Sequence, residues 1–478
     1  MTETLDLDQK FTQLEKAKQI PQKSVPKIQK VAHYLRDRKH FIKHYVPKLV
    51  SMGPIHHGKM ALNLGEQYKL MWAAQYLERT NQDAKTLYRK IASNIQQLKQ
   101  LFAENVIEDF LDDEKLSWML LVDGCSLLQL LGKGNLNNPD QMHVKVDQLV
   151  AVWLDVILLE NQLPYQLLKL LSGHENDDKL LKRLNEFLLF YGLSPVRLDY
   201  LDSAWDEERN TGNEDELQGE HRVKIAQESP IHLLDLLHRS ILGNPQKNRR
   251  DHKRNAEKTR RKQRIKEEFF VYHHRNIRAM KETGITLKAS NSRWFTDISF
   301  SAGWFVAELK LPQIIVDETT ATTFLNLIAY EMCADFKNNY EICSFVAFLA
   351  SLIDHPDDAK ELISAGVFVN ALGSDEEVAN LIKTISIDLV DMERYSHVRV
   401  QIEKHYRSKS KNFWGKWKTW IVLAHHKYFS NPWAAIALGA AIFALVLTSI
   451  QTWFTVHPPN QRTRNEDRAL ESPNGEAS

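Results

Sequence analysis

The chain has 478 residues, with 62 Lys and Arg against 61 Asp and Glu, 43% hydrophobic residues and three cysteines. Its length makes room for roughly two to four domain-sized units or one large one, and its composition excludes a disordered or collagenous chain. A net charge of +1 argues against a whole-protein polyanion binder. Three cysteines, Cys125, Cys333 and Cys343, exclude a disulfide-stapled scaffold; no Cys-x-x-Cys pair is present to hold zinc or run redox chemistry, and reduced thiols are the simplest reading.

Residues 1–24 are charged throughout and read as a tail, not a signal peptide. Apolar residues then recur at helical spacing over 67–79, 87–106, 118–131 and 144–171, with Pro164 expected to kink or divide the last. Between 285 and 317 the runs ITLKAS, FTDISF and LPQIIVD cluster β-branched residues between Gly, Ser and Pro, the pattern of short strands. Helical spacing resumes at 322–333, and SDEE from Ser374 offers a helix N-cap and, at Glu377, a capping-box carboxylate.

Two charge blocks interrupt this order. Residues 199–220 hold nine acidic side chains and one basic, and residues 247–266, from Lys247 to Lys266, hold eleven basic and two acidic. The apolar island SPIHLLDLLHRSIL at 229–242 lies between them. Such blocks resist burial because desolvating charge is costly. They divide the chain into a helical lobe at 25–198, a charged linker at 199–266 and a second lobe with the small sheet at 267–405.

From Pro432 to Val456 runs a stretch of 25 residues without a charged side chain. As a helix it would extend about 37 Å, enough for a hydrocarbon core of about 30 Å. The expected fold is therefore mainly α, a multi-helix domain with a small sheet around 285–317 plus one C-terminal transmembrane helix at 432–456. A basic juxtamembrane segment at 406–431 precedes it and a polar tail at 457–478 follows. The flanking charges and the absence of any Asn-x-Ser/Thr sequon place the large domain in the cytosol on this reading, at the plasma membrane or an endomembrane.

Candidates for chemistry are few. His56 and His57 sit in SMGPIHHGK, where Gly53, Pro54 and Gly58 mark a tight turn, and a structural turn is favoured over a catalytic or metal site. The pairs His273-His274 and His425-His426 are similar. Asp123, Asp155, Glu160, Asp235 and Glu331 lie inside apolar helical runs, where a lone carboxylate is costly unless bonded. Five residues apart, Asp155 and Glu160 point in different directions. An internal polar network or backbone capping is the favoured role. No nucleotide-binding, hydrolase-elbow, zinc-protease or kinase motif is present, and no catalytic, cofactor-binding or metal residue is assigned.

Taken in order, these motifs resemble a plant family, "domain of unknown function 247". The resemblance runs through VPK at Val25, YVPKLVSMGPIHHGK at Tyr45, Glu66-x-x-Lys69, LLVDGC at Leu120, LLENQLPY at Leu158 and HLLDLL at His232. It continues with KETGI at Lys281, LPQIIVD at Leu311, NLIAYEMC at Asn326, NALGSDEEVANL at Asn370 and YFSNPWAAIALGAA at Tyr428. Departures from the family pattern fall at Ser126 and Gln129, where an aromatic residue and an acid are usual, at Ala350, and in a missing segment near Asn94. The resemblance implies a plant, single-pass, C-terminally anchored protein without assigned catalysis, some relatives being linked to grass self-incompatibility.

The functional expectation is a membrane-anchored protein-interaction, recognition or signalling component that contacts the bilayer and another protein or a second copy of itself. The alternative is an enzyme of undescribed type using His56 or His57 with the helix carboxylates. A weaker third reading has Lys247 to Lys266 contacting anionic lipid. No nucleic-acid partner is expected, since no aromatic residue interleaves that run.

Overall fold

The computed structural model describes residues 7–17, 26–38, 41–108, 110, 112–134, 138–173, 175–189, 191, 229–242, 276–292, 294–303, 306–336, 339–389, 394–410 and 432–456. The helices in the first half are α1 (Leu7–Ala17), α2 (His33–Arg36), α3 (Asn63–Thr80), α4 (Ala84–Lys99), α5 (Glu104–Ile107), α6 (Asp113–Lys133), α7 (Val146–Val156), α8 (Tyr165–Leu171) and α9 (Asp177–Leu189). Then come α10 (Leu233–Leu242), α11 (Ile277–Glu282), α12 (Thr320–Glu331), α13 (Glu341–Ala350), α14 (Pro356–Ser364), α15 (Asp375–Ile385), α16 (Ser396–Ser410) and α17 (Pro432–Val456). The strands are β1 (Ile285–Ser290), β2 (Ser299–Ala302), β3 (Ala307–Pro312), β4 (Ile314–Val316) and β5 (Phe368–Asn370).

Helix α6 is the axis of the first half. Its LSWMLLVDGCSLLQLL run is apolar on nearly every side, and a helix of that kind is stable only when surrounded. The side chain of Asp112 caps it, accepting the N–H of Glu114 at 2.9 Å. Helices α3, α4, α8 and α9 pack around it. Pro164 divides the long run at 144–171 as expected, serving as N-cap of α8 after α7 has ended at Val156.

β1, β3 and β2 form one sheet in that order. β1 runs parallel to β3 with Ile285 opposite Ala307, and β2 runs antiparallel to it with Phe300 opposite Leu309. β4 pairs in parallel with β5, Ile314 opposite Phe368. ITLKAS is β1 itself, whereas only the end of FTDISF becomes strand. Ser374 caps α15 by accepting the Glu377 N–H at 3.2 Å, but the Glu377 carboxylate reaches the Gly373 N–H, one residue short of the expected box.

The chain resolves into two compact units. One comprises 1–281 and 285–406; the other comprises 282–284 and 407–478. In the first, the apolar island at 229–242 becomes α10, whose leucines join the same core as the helices before and after it. The charged runs at 199–220 and 247–266 lie outside the described residues, as do His273-His274, His425-His426 and the basic segment at 411–431.

The transmembrane expectation is corrected. Residues 432–456 do form a helix of 25 residues, but among the described residues no helix is long and apolar enough to cross a membrane. Among the described side chains of α17, Thr448, Ser449, Gln451, Thr452 and Thr455 lower its apolarity. The four hydroxyls donate to carbonyls four residues back, at 2.7 to 2.8 Å. The single-pass placement, the membrane localisation and the cytosolic side inferred from flanking charge all rested on that span and fall with it.

Candidate functional site

The segment 45–57 contains no helix or strand, yet most of it is buried. Backbone N–H groups in such a place need acceptors, because an unmet buried donor costs about 1–3 kcal/mol. Side chains from two helices and from the connection between α7 and α8 supply them. Asp155, near the end of α7, accepts from Lys48 at 2.8 Å, Leu49 at 2.7 Å and Val50 at 2.9 Å. Asn161 accepts from Met52 at 2.6 Å and donates back to the Val50 carbonyl at 3.0 Å. Asp123 of α6 accepts from Gly53 at 2.8 Å. Burial pushes the Asp155 carboxyl up to about 6 against the pull of its three N–H donors.

The other oxygen of Asp123 meets Lys69 of α3 at 2.6 Å. The Lys69 ammonium also contacts Glu66 at 2.8 Å and donates to the Ser51 carbonyl at 2.8 Å. Burial alone would drive its proton off, but the Asp123 and Glu66 carboxylates overcome that and hold its pKa above the ordinary lysine value. Helix α3 comes this close because of Gly65, where a Cβ would lie 1.9 Å from the Leu49 carbonyl oxygen.

Glu160 closes the network on its other side. Oε1 accepts the Val31 N–H at 2.9 Å and lies 3.3 Å from Arg36 Nη1, while Oε2 lies 2.9 Å from His56 Nε2. His56 Nδ1 in turn lies 2.6 Å from Lys59 Nζ. An ammonium only donates, so Nδ1 accepts from Lys59. Burial would raise the Glu160 carboxyl, yet His56, the Val31 N–H and Arg36 together hold it below the usual range. His56 and Glu160 are each 1% exposed. His57 is exposed, its ring 5.8 Å from that of Phe110. Gly53 and Gly58 take positive φ of 76° and 75°, so the tight turn holds.

A second cluster fastens α10. Gln162 accepts the Leu234 N–H at 2.9 Å. Asp235 takes the hydroxyl of Tyr330 at 2.9 Å and the Arg239 guanidinium at 2.6 Å. His238 Nε2 lies 2.7 Å from Glu331, which also accepts from Ile342 at 2.8 Å and Cys343 at 2.9 Å. His232 Nδ1 accepts the Asp235 N–H at 3.1 Å, and burial pushes its pKa down to about 4. Asn326 of α12 accepts from Leu159 at 2.8 Å and donates to the His44 carbonyl at 2.7 Å.

A family profile for DUF247, plant proteins of unknown function, matches residues 28–447. The chain belongs to this family. Two UPF0481 proteins of Arabidopsis thaliana are similar to it, each at 23% identity. One alignment spans 430 residues, 86% of this chain and 82% of the relative; the other spans 477 residues, 86% and 87%. No solved structure matches.

In this family member the motifs that carried the resemblance are the network. YVPKLVSMGPIHH supplies the captured backbone, Glu66-x-x-Lys69 and LLVDGC the ion pair, and LLENQLPY three consecutive side chains, Glu160, Asn161 and Gln162, that grip residues 31, 52 and 234. Every helix carboxylate singled out from sequence is buried and bonded. Lys69, Asn161, Gln162 and Asn326 were not named as site residues; a polar side chain flanked by apolar ones was the available signal. Among the described residues no group of three or more His, Cys, Asp or Glu side chains is placed to hold a metal ion. The thiols of Cys125, Cys333 and Cys343 are unpaired, and burial raises the pKa of each.

Proposed function

We propose that this plant protein is a protein-interaction or recognition component, a scaffold whose buried polar network holds one rigid form for contact with a partner. One observation carries the reading: Nδ1 of His56 is taken up by Lys59, and the carboxylates of Asp123, Asp155, Glu160, Asp235 and Glu331 each accept a backbone N–H inside the protein. A general base needs a lone pair within about 3 Å of a substrate proton. That favours the scaffold over an enzyme using His56 or His57 with the helix carboxylates. Apolar side chains at the surface add support, with Trp118 of α6 55% exposed and Met60 86% exposed beside the network.

The test is affinity purification of the tagged full chain from plant tissue, beside chains carrying Trp118→Glu or an exchanged 199–266 segment. The reading expects a partner, another protein or a second copy, recovered by the native chain and lost from at least one variant. No partner in any tissue, together with a monomer by light scattering, would overturn it.

A further inference from the structure

Arg79 at the end of α3 and Arg183 of α9 meet beside Gly132, near the C-terminal end of α6. A Cβ at Gly132 would lie 3.2 Å from Arg79 Nη2 and 3.8 Å from Arg183 Nη1. The bare α-carbon leaves room for both guanidinium groups beside it. Arg79 is held in place by two neighbours: its Nε donates to Gln129 Oε1 at 3.1 Å, and its Cζ lies 5.4 Å from the centre of the Tyr76 ring. Arg183 donates through Nη2 to Glu175, while its Nε is buried without a hydrogen-bond partner.

The charges here do not balance. Among the described residues Glu175 is the one carboxylate ion-paired with either arginine. Gln129, which faces Arg79 from within α6, is neutral. Burial and then the nearby Arg183 pull the Arg79 guanidinium below its ordinary pKa, as expected for two cations held close together. The carbonyl end of α6 offers only about half an elementary charge, and the Leu130 carbonyl there already accepts the Gly134 N–H at 2.7 Å.

We propose that Arg79 and Arg183 together bind a phosphate-type oxyanion over Gly132. A carboxylate has two oxygens and is satisfied by one guanidinium fork. A tetrahedral oxyanion offers oxygens to two guanidinium groups at once. Free phosphate and a phosphate ester share that chemistry. The site is separate from the network around His56 and does not depend on the chain having a protein partner.

The experiment is calorimetric titration of the full chain with inorganic phosphate at low ionic strength, repeated with sulfate, acetate and O-phosphoserine. One saturable phosphate site is expected, with sulfate competing and acetate not. Arg79→Gln, and Gln129→Glu, which supplies Arg79 with an internal carboxylate, should each weaken phosphate at least about tenfold. Lys115→Met, at a lysine 81% exposed elsewhere on α6, should leave it unchanged. Circular dichroism checks that each variant is folded. Tighter binding of phosphoserine assigns the site to an ester, and tighter inorganic phosphate to the free ion. No saturable binding up to about 10 mM, or an affinity in Arg79→Gln and Gln129→Glu equal to that of the native chain, would overturn the proposal.

Discussion

Lys69 and Asp123 form an ion pair without access to water, Nζ to Oδ1 at 2.6 Å, with side chains 0% and 1% exposed. The pair joins α3 to α6, and through the Ser51 carbonyl and Gly53 N–H it fixes the segment between them. Removing either partner strands a buried charge. Lys69→Met and Asp123→Leu should each cost about 3–5 kcal/mol in urea unfolding, and the double variant less than the two together. Simple additivity would mean that the charges do not interact.

Two glycines should respond differently to the same added methyl group. At Gly65 a Cβ would meet the Leu49 backbone oxygen at 1.9 Å, and backbone has nowhere to move; at Gly124 it would meet the Leu171 Cδ1 at 2.3 Å, a side-chain tip that can rotate. Gly65→Ala should abolish folding or cost more than about 3 kcal/mol, and Gly124→Ala about 1–3. The reverse order in thermal melts would contradict this packing.

Acid should loosen the grip on α10. His232 accepts the Asp235 N–H and is buried neutral, its pKa lowered to about 4 from 6.5. The unfolded chain takes up a proton at 6.5 that the folded chain refuses until about 4. Stability is thus full above the unfolded value and falls as pH drops through this window, by about 3 kcal/mol. His232→Asn keeps an acceptor for the cap without titrating. The difference between the unfolding free energies of native and variant chains should change across pH 4 to 6.5; a flat difference would refute the assignment.

The adjacent histidines should separate cleanly. His56→Ala leaves Glu160 and Lys59 without the ring between them and should cost about 2–4 kcal/mol. His57→Ala, at an exposed side chain, should stay within about 0.5 kcal/mol. Equal effects in denaturant titrations would show that the turn does not sort them as described.

Much of the architecture was legible because it is written in local periodicity. The apolar spacing of α3, α6 and α12, the break at Pro164 and the strand ITLKAS depend on residues a few positions apart. The favoured role of the helix carboxylates followed from the cost of burying a bare charge. Partners were not legible: Asp155 grips amides more than 100 residues away, and Asn326 reaches His44 across 282. No spacing rule encodes such contacts. The span at 432–456 shows the opposite error, in which average apolarity was given more weight than the hydroxyl-bearing turns at its end.

The family motifs hold the segment 45–57 in place, and amide hydrogen exchange tests this most directly. The N–H groups of Lys48, Leu49, Val50, Met52 and Gly53 belong to no helix or strand, yet each donates to a buried side chain. They should exchange as slowly as amides in the core of α6, and Asp155→Ala should release the first three. Exchange within seconds in the native chain, as from an ordinary surface loop, would contradict the account.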